Sequence, residues 1–150
     1  MKYKMLVLTT MIILFGCEEL LEIKADSMTI EKVTLEMMSF RNESNIDWDE
    51  LSGPDVYIRF EESDRTGYLE TGTIQDISLN DLPINWELNP TFTIEDFDNN
   101  LEIFIYDADI LSDDLIASGA FEFDPYDDTE IFTLTFDENC ELTIEVSYEW

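Results

Sequence analysis

Apolar and polar residues alternate along most of the chain from Ile30 onward. In the last such segment, polar residues separate Leu142, Ile144, Val146 and Tyr148. A period of two is typical of strands that bury one face. No stretch after residue 27 carries a capped helical stripe, so the sequence predicts an all-β domain of two packed antiparallel sheets. The eight predicted strands lie near residues 29–39, 55–62, 67–75, 91–96, 101–107, 115–123, 131–136 and 141–149.

Residues 1–16 have the pattern of a targeting segment. Lys2 and Lys4 precede an apolar run that is shorter than the roughly 20 residues needed to span a bilayer. The run ends in Leu14-Phe15-Gly16-Cys17, which resembles the bacterial lipoprotein signal. The resemblance implies cleavage before Cys17 and acylation of its sulfur. A plain signal peptide with another cleavage site is the alternative.

The next segment, residues 17–28, is predicted to be an acidic tether, and residues 29–150 the folded domain. Acidic residues directly after the lipidated cysteine resemble the export signal of Bacteroidetes lipoproteins. This implies a bacterial envelope protein in the outer membrane, facing the periplasm or the surface. Once Cys17 carries lipid, Cys140 has no intrachain disulfide partner, and we expect it to be a buried structural thiol.

The composition restricts the function further. The chain has 36 acidic and 7 basic residues, a formal net charge of −29, and 13% aromatic residues. The aromatic content favours a folded core over an acidic disordered tail. The charge excludes constitutive binding to nucleic acid or anionic lipid. The chain has no histidine and no nucleophile–base, phosphate-loop or redox motif, so we expect a protein that is not an enzyme.

Two acidic segments differ from the others because they use Asp far more than Glu. Residues 47–55 connect the first two predicted strands, and residues 107–114 connect the fifth and sixth. A short Asp side chain holds its carboxylate near the backbone, where loop carbonyls can bind the same ion. Clustered carboxylates repel one another unless a cation lies between them. Six to eight oxygen ligands suit Ca²⁺, so these segments predict a calcium site.

The order of these segments resembles that of C2 domains, which are calcium- and lipid-binding β-sandwiches. Gly53-Pro54-Asp55-Val56-Tyr57-Ile58 lies where the family has a Ser-Asp-Pro-Tyr-Val type of sequence, with the proline displaced. Leu88-Asn89-Pro90 precedes an aromatic strand, as in the family. Tyr106-Asp107-Ala108-Asp109 and Asp114-Leu115-Ile116 match its Asp-X-Asp motif and the Asp that follows. The intervening loop is one residue shorter than in well-known calcium binders, and Ala117 replaces a glycine.

The resemblance covers about residues 29–150 and implies an eight-stranded Greek-key sandwich with the permuted strand order of phospholipase-type members. It implies that the calcium ligands are Asp49, Asp55, Asp107, Asp109 and Asp114. The shorter loop leaves open whether Asp113 or Asp114 is the fifth ligand. Possible additional ligands are Asp47, Ser112 and Asp113. Leu51, Ile110 and Leu111 would lie at the loop tips, where they contact a membrane or partner or else pack locally.

Together these features predict a calcium-binding module that is lipid-anchored to the bacterial envelope. Its calcium-dependent ligand would be phospholipid, protein or glycan, with no role for nucleic acid. The predicted strand 67–75 has no basic residue, which argues against phosphoinositide recognition. The alternative function is a structural or adhesive sandwich lipoprotein in which calcium only stabilises the loops.

Overall fold

The computed structural model describes residues 23–41, 47–48, 52–64, 67–109, 112–136 and 138–150. The predicted signal peptide, Cys17 and the first half of the predicted tether lie outside these residues. The strands, in chain order, are β1 (Ser27–Met37), β2 (Val56–Glu62), β3 (Tyr68–Glu70), β4 (Ile84–Ile94), β5 (Leu101–Asp107), β6 (Asp114–Phe121), β7 (Ile131–Phe136) and β8 (Cys140–Glu149). A search of the described residues finds no helix with the length and hydrophobicity to cross a membrane.

The strands form two four-stranded antiparallel sheets. One sheet has the order β4-β1-β8-β7 and the other has the order β3-β2-β5-β6. The last strand, β8, lies between the first strand and β7. This arrangement confirms the predicted all-β sandwich of eight strands.

The core lies between the two sheets and follows from the alternation in the sequence. Along β5, Leu101, Ile103 and Ile105 point inward, while the residues between them are partly exposed. Leu142 and Ile144 of β8 cover them from the other sheet and are fully buried. Both sheets and the core lie within residues 25–150, so a chain that starts at residue 18 contains the whole sandwich. The thiol residue Cys140 is also buried, as predicted.

The two sheets approach closely where β6 faces β7. A Cβ atom added to Gly119 would lie 2.7 Å from Cε1 of Phe136. Any larger residue at Gly119 would therefore displace the Phe136 ring, which is buried between the sheets.

Two predicted strands differ from the structure by more than two residues at one end. The third covers Tyr68–Glu70 instead of 67–75, because the chain then crosses to the start of β2, where Ile74 forms an isolated bridge with Val56. The fourth begins at Ile84, well before its predicted start at residue 91. Pro90 lies within this strand, which tolerates a proline because it is an edge strand and one side of its backbone has no partner strand.

The acidic segments and the chain's entry into the domain lie at opposite ends of the sandwich. The acidic-loop end contains the C-terminus of β1, Val56, Asp107 and Asp114. The opposite end, called here the terminal end, contains Ser27 and Glu149, which pair with each other. The predicted tether therefore enters the domain at the end opposite the acidic loops.

Candidate metal centre

The two acidic segments meet where β2 begins and β5 ends. Val56 pairs with Asp107 across the sheet. The Asp55 amide donates a 2.7 Å hydrogen bond to Oδ1 of Asp107, and the Ala108 amide donates one of 2.7 Å to the Asp55 carbonyl oxygen. Asp107 is only 1% exposed. The structure therefore brings together two of the predicted ligands and buries one of them.

Residues 74–77, called here the brace segment, hold the first acidic segment in place. The Asp76 amide donates a 2.9 Å hydrogen bond to Oδ1 of Asp55, and Asp76 has a φ of 56°. The Ile77 amide donates a 3.0 Å bond to the Pro54 carbonyl oxygen. These contacts fix both the backbone and the carboxylate at the start of β2.

The brace segment packs so closely that only glycine fits beside it at position 53. A Cβ atom on Gly53 would lie 1.8 Å from the Ile77 carbonyl oxygen. Ile77 itself is 1% exposed. The alternation and the motifs of the sequence predict no role for the brace segment. The available signal was the Gly53-Pro54 pair directly before Asp55, which indicates a close backbone approach.

In the second acidic segment, protein groups already bind the side chain of Asp113. Its Oδ2 accepts a 2.7 Å hydrogen bond from the Tyr57 hydroxyl, and its Oδ1 accepts a 3.2 Å bond from the Asp109 amide. Asp114 is exposed and pairs in register with Asp107, so both side chains lie on the same face. The two candidates for the fifth ligand therefore differ in their environments.

Tyr57 connects this segment to the outer face of the sheet. Its ring is buried and stacks on Tyr106, with 5.2 Å between the ring centroids. Burial, together with the hydrogen bond to Asp113, raises the pKa of the Tyr57 hydroxyl well above its ordinary value of 10.0. Tyr57 therefore remains a protonated donor at neutral pH. The guanidinium of Arg59 lies 5.3 Å from the Tyr106 ring centroid and also binds Glu70.

The other predicted site residues are either exposed or outside the described part of the chain. Asp47 accepts a 2.8 Å hydrogen bond from Arg41 in an exposed ion pair, and Ser112 is exposed. The predicted residues outside the described part of the chain are Asp49, Leu51, Ile110 and Leu111. Within the part that is described, no three His, Cys, Asp or Glu side chains are positioned to hold a metal ion. Among the described acids, Asp55 contacts Asp107 through its backbone amide, and Asp114 pairs with Asp107 on the neighbouring strand.

Comparison with known proteins gives structural matches only. No protein-family model and no curated protein sequence matches the chain. A solved structure described as a C2 domain matches with a TM-score of 0.61 and 13% sequence identity, over 83% of this chain and 98% of that one. The fold is that of a C2 domain.

Two further structures extend this C2-type likeness. Human GIVD cytosolic phospholipase A2, with bound inhibitor and terbium, matches with a TM-score of 0.63 and 22% identity, over 84% of this chain and 17% of the enzyme. A calcium-bound pair of C2 domains from extended synaptotagmin 2 matches with a TM-score of 0.57 and 14% identity, over 84% of this chain and 46% of that one. At these identities the likeness establishes the fold alone.

Proposed function

We propose that this chain is a calcium-binding C2-type module, anchored to the bacterial envelope by lipid on Cys17, with no catalytic activity. The observation that carries the proposal is the buried carboxylate of Asp107 at the junction of both acidic segments. An ionised carboxylate is costly to bury unless hydrogen bonds and an opposite charge compensate for lost hydration. A divalent cation between the two segments would supply that charge.

The proposed ligands are Asp49, Asp55, Asp107, Asp109 and Asp114. Asp114 is the better fifth ligand because both carboxylate oxygens of Asp113 accept hydrogen bonds from the protein. Asp113 then orients the loop through Tyr57. Carboxylate and loop carbonyl oxygens in an irregular arrangement suit Ca²⁺, whereas Mg²⁺ requires a tight octahedron and retains water.

Binding of calcium would change the charge at the acidic-loop end. The cation neutralises clustered carboxylates in a chain whose formal net charge is −29. A surface that repels anions without calcium then accepts an anionic headgroup, a protein or a glycan, which is an electrostatic switch. Leu51, Ile110 and Leu111 are the proposed contact residues for such a ligand.

The geometry favours a ligand outside the anchoring membrane. The tether enters at the terminal end, and β1 has 11 residues between that end and the acidic-loop end. At roughly 3.3 Å per residue, this strand separates the two ends by about 36 Å. With its strands upright on the membrane, the domain directs its proposed calcium surface outward.

The first experiment is thermal unfolding of residues 18–150 in EDTA, in a Ca²⁺ series and in Mg²⁺. Calcium at 100 times its dissociation constant would stabilise the fold by about 2.7 kcal/mol. Asp107→Asn should remove this response, because its amide keeps an acceptor oxygen but loses the charge. Asp128→Asn is the matched control, since Asp128 is exposed near the terminal end. Identical midpoints in Ca²⁺ and EDTA would refute the proposed site.

A second measurement separates binding from stabilisation. Flotation with vesicles of phosphatidylcholine and phosphatidylserine, and a screen of protein and glycan ligands, should detect association in Ca²⁺ that is absent in EDTA. If calcium raises the midpoint but produces no association, the structural or adhesive alternative replaces the binding module.

A further inference from the structure

The edge strand β7 (Ile131–Phe136) lacks the features that usually protect a sheet edge. Its sequence, Ile-Phe-Thr-Leu-Thr-Phe, contains no charged residue, proline or glycine. Such edges favour pairing with another strand. The other described edges are protected: β3 has three residues, and β4 contains Pro90. On β6, the pairing with β5 is irregular and Gly119 weakens the strand.

The backbone of β7 presents alternate hydrogen-bonding groups to the open side. The Val146 amide donates a 2.8 Å bond to the Glu130 carbonyl oxygen. Glu130 therefore faces β8 with its backbone groups, and so does every second residue after it along β7. Because facing groups alternate in an antiparallel pair, the amides and carbonyls of Ile131, Thr133 and Thr135 point away from β8. The sheet ends at β7, and none of the described strands covers that side.

Inward-facing side chains along the same edge line a groove. Phe132 and Leu134 are half-buried and face the interior, whereas Ile131, Thr133 and Thr135 are exposed. The groove between β6 and β7 has a volume of about 310 Å³. Its lining combines the apolar side chains of Phe121, Leu134 and Phe136 with the polar residues Ser118, Thr133 and Thr135. A strand added beside β7 would place every second side chain over this groove, where apolar side chains would contact Phe121, Leu134 and Phe136.

Carboxylates near β7 favour basic residues on the solvent-facing side of the added strand. Glu130 and Glu138 flank β7 at its two ends, and Glu141 lies beside Thr135 on the outer face of β8. An extended segment with Lys or Arg on its outer face complements these carboxylates. A second copy of this chain does not, because each copy has a formal net charge of −29.

From these observations we propose that β7 binds an extended segment of a partner protein as an added strand. The segment alternates apolar residues, which cover the groove, with basic residues, which face solvent and the flanking carboxylates. Main-chain hydrogen bonds to Ile131, Thr133 and Thr135 provide the attachment, and the alternate side chains provide the specificity. The site is independent of the proposed calcium site.

The test uses residues 18–150 in EDTA and the acetylated, amidated peptide Lys-Val-Lys-Val-Thr-Val-Lys-Val-Lys. Binding is measured by calorimetry, and amide protection by hydrogen exchange. The expected result is binding with new protection at Ile131, Thr133 and Thr135. A peptide of the same composition with its lysines grouped together keeps the charge but loses the alternation. It should therefore bind with an affinity at least about tenfold lower.

N-methylated peptides distinguish strand addition from general attraction to an acidic surface. Only alternate amides of an added strand face β7, so methylation of one alternate set should abolish binding while methylation of the other should not. Equal effects of the two sets, binding of the grouped peptide equal to that of the alternating one, or absence of protection on β7 would each overturn the proposal.

Variants at the centre of β7 complete the test. Thr133→Pro removes an outward amide that β8 does not use, and Thr133→Lys adds a charge that repels the peptide. Each should weaken binding about tenfold, whereas Thr133→Ser should change it less than about twofold. Thr133→Lys keeps the test valid if the proline variant does not fold. Unchanged binding by both, or dimerisation in sedimentation without peptide binding, refutes the proposed partner.

Discussion

Replacing Gly53 with alanine tests whether the brace segment fixes the first acidic segment. The added Cβ would lie 1.8, 2.6 and 2.9 Å from the carbonyl oxygen, carbonyl carbon and amide nitrogen of Ile77. All three are backbone atoms, so no side-chain rotation relieves the overlap. The strand start must therefore move away from Ile77, which breaks the hydrogen bonds of Ile77 to Pro54 and of Asp76 to Asp55.

The expected loss of stability combines two contributions. Overpacking costs about 1–3 kcal/mol, and each lost hydrogen bond costs about 1 kcal/mol. Gly53→Ala should therefore lower the free energy of unfolding by about 3–5 kcal/mol and the melting temperature by roughly 10–20 °C. Any variant that remains folded should also lose its calcium response, since Asp55 no longer lies against Asp107.

Urea unfolding of residues 18–150 in EDTA measures this effect, with Gly72→Ala as the matched control. Nothing lies within 4 Å of a Cβ added to Gly72, and its φ is not positive. That variant should be neutral or stabilised by up to about 1 kcal/mol. If Gly53→Ala unfolds within about 0.5 kcal/mol of the unmodified chain, position 53 does not pack against the brace segment and our account of the site is wrong.

Three further changes test other parts of the fold. Phe136→Ala should cost about 3–5 kcal/mol in urea unfolding, since the ring is buried against Gly119. Tyr57→Phe removes the hydroxyl bound to Asp113, so it should destabilise the fold by roughly 1.5–3 kcal/mol in EDTA. Burial and the nearby Asp carboxylates raise the pKa of Tyr148 from 10.0 to about 12. The stability linked to its neutral phenol is therefore complete below pH 10 and is lost as the pH rises towards 12, and Tyr148→Phe should remove this part of the alkaline loss.

Strands with regular alternation were predictable from the sequence. The predicted bounds 101–107 and 131–136 equal those of β5 and β7. The fourth strand was not predictable in full, because the same Asn-Pro pair marks a turn in one context and an edge-strand irregularity in another. Opposite Glu31 of β1, β4 contains several residues without a register partner, and Pro90 lies among them. Only the position of this strand at the sheet edge makes that arrangement acceptable.

The two acidic segments of the candidate site were predictable from the sequence, but the contacts that hold these segments in place were not. The Asp55 amide binds the Asp107 carboxylate and so joins the two segments, whereas the ligand roles that the C2 resemblance implied stay a prediction. The brace segment follows a short strand and reaches the site by a path that local patterns do not encode. Likewise, the hydrogen bond from Tyr57 to Asp113 joins residues that are 56 positions apart. Long-range contacts of this kind depend on how the sheets are stacked.

Burial distinguishes Asp107 from the many other acidic residues. Among the described residues, it is the only Asp or Glu in the buried class. The alternation already contained this information, because Leu101, Ile103, Ile105 and Asp107 occupy successive inward positions of β5. An Asp that continues an apolar face at the end of a strand must lose hydration, whereas an Asp just beyond the strand remains exposed, as Asp109 does. We therefore expect the position of an acid within the alternation, more than the number of acids around it, to indicate a cation site, and the Asp107→Asn melt tests that expectation directly.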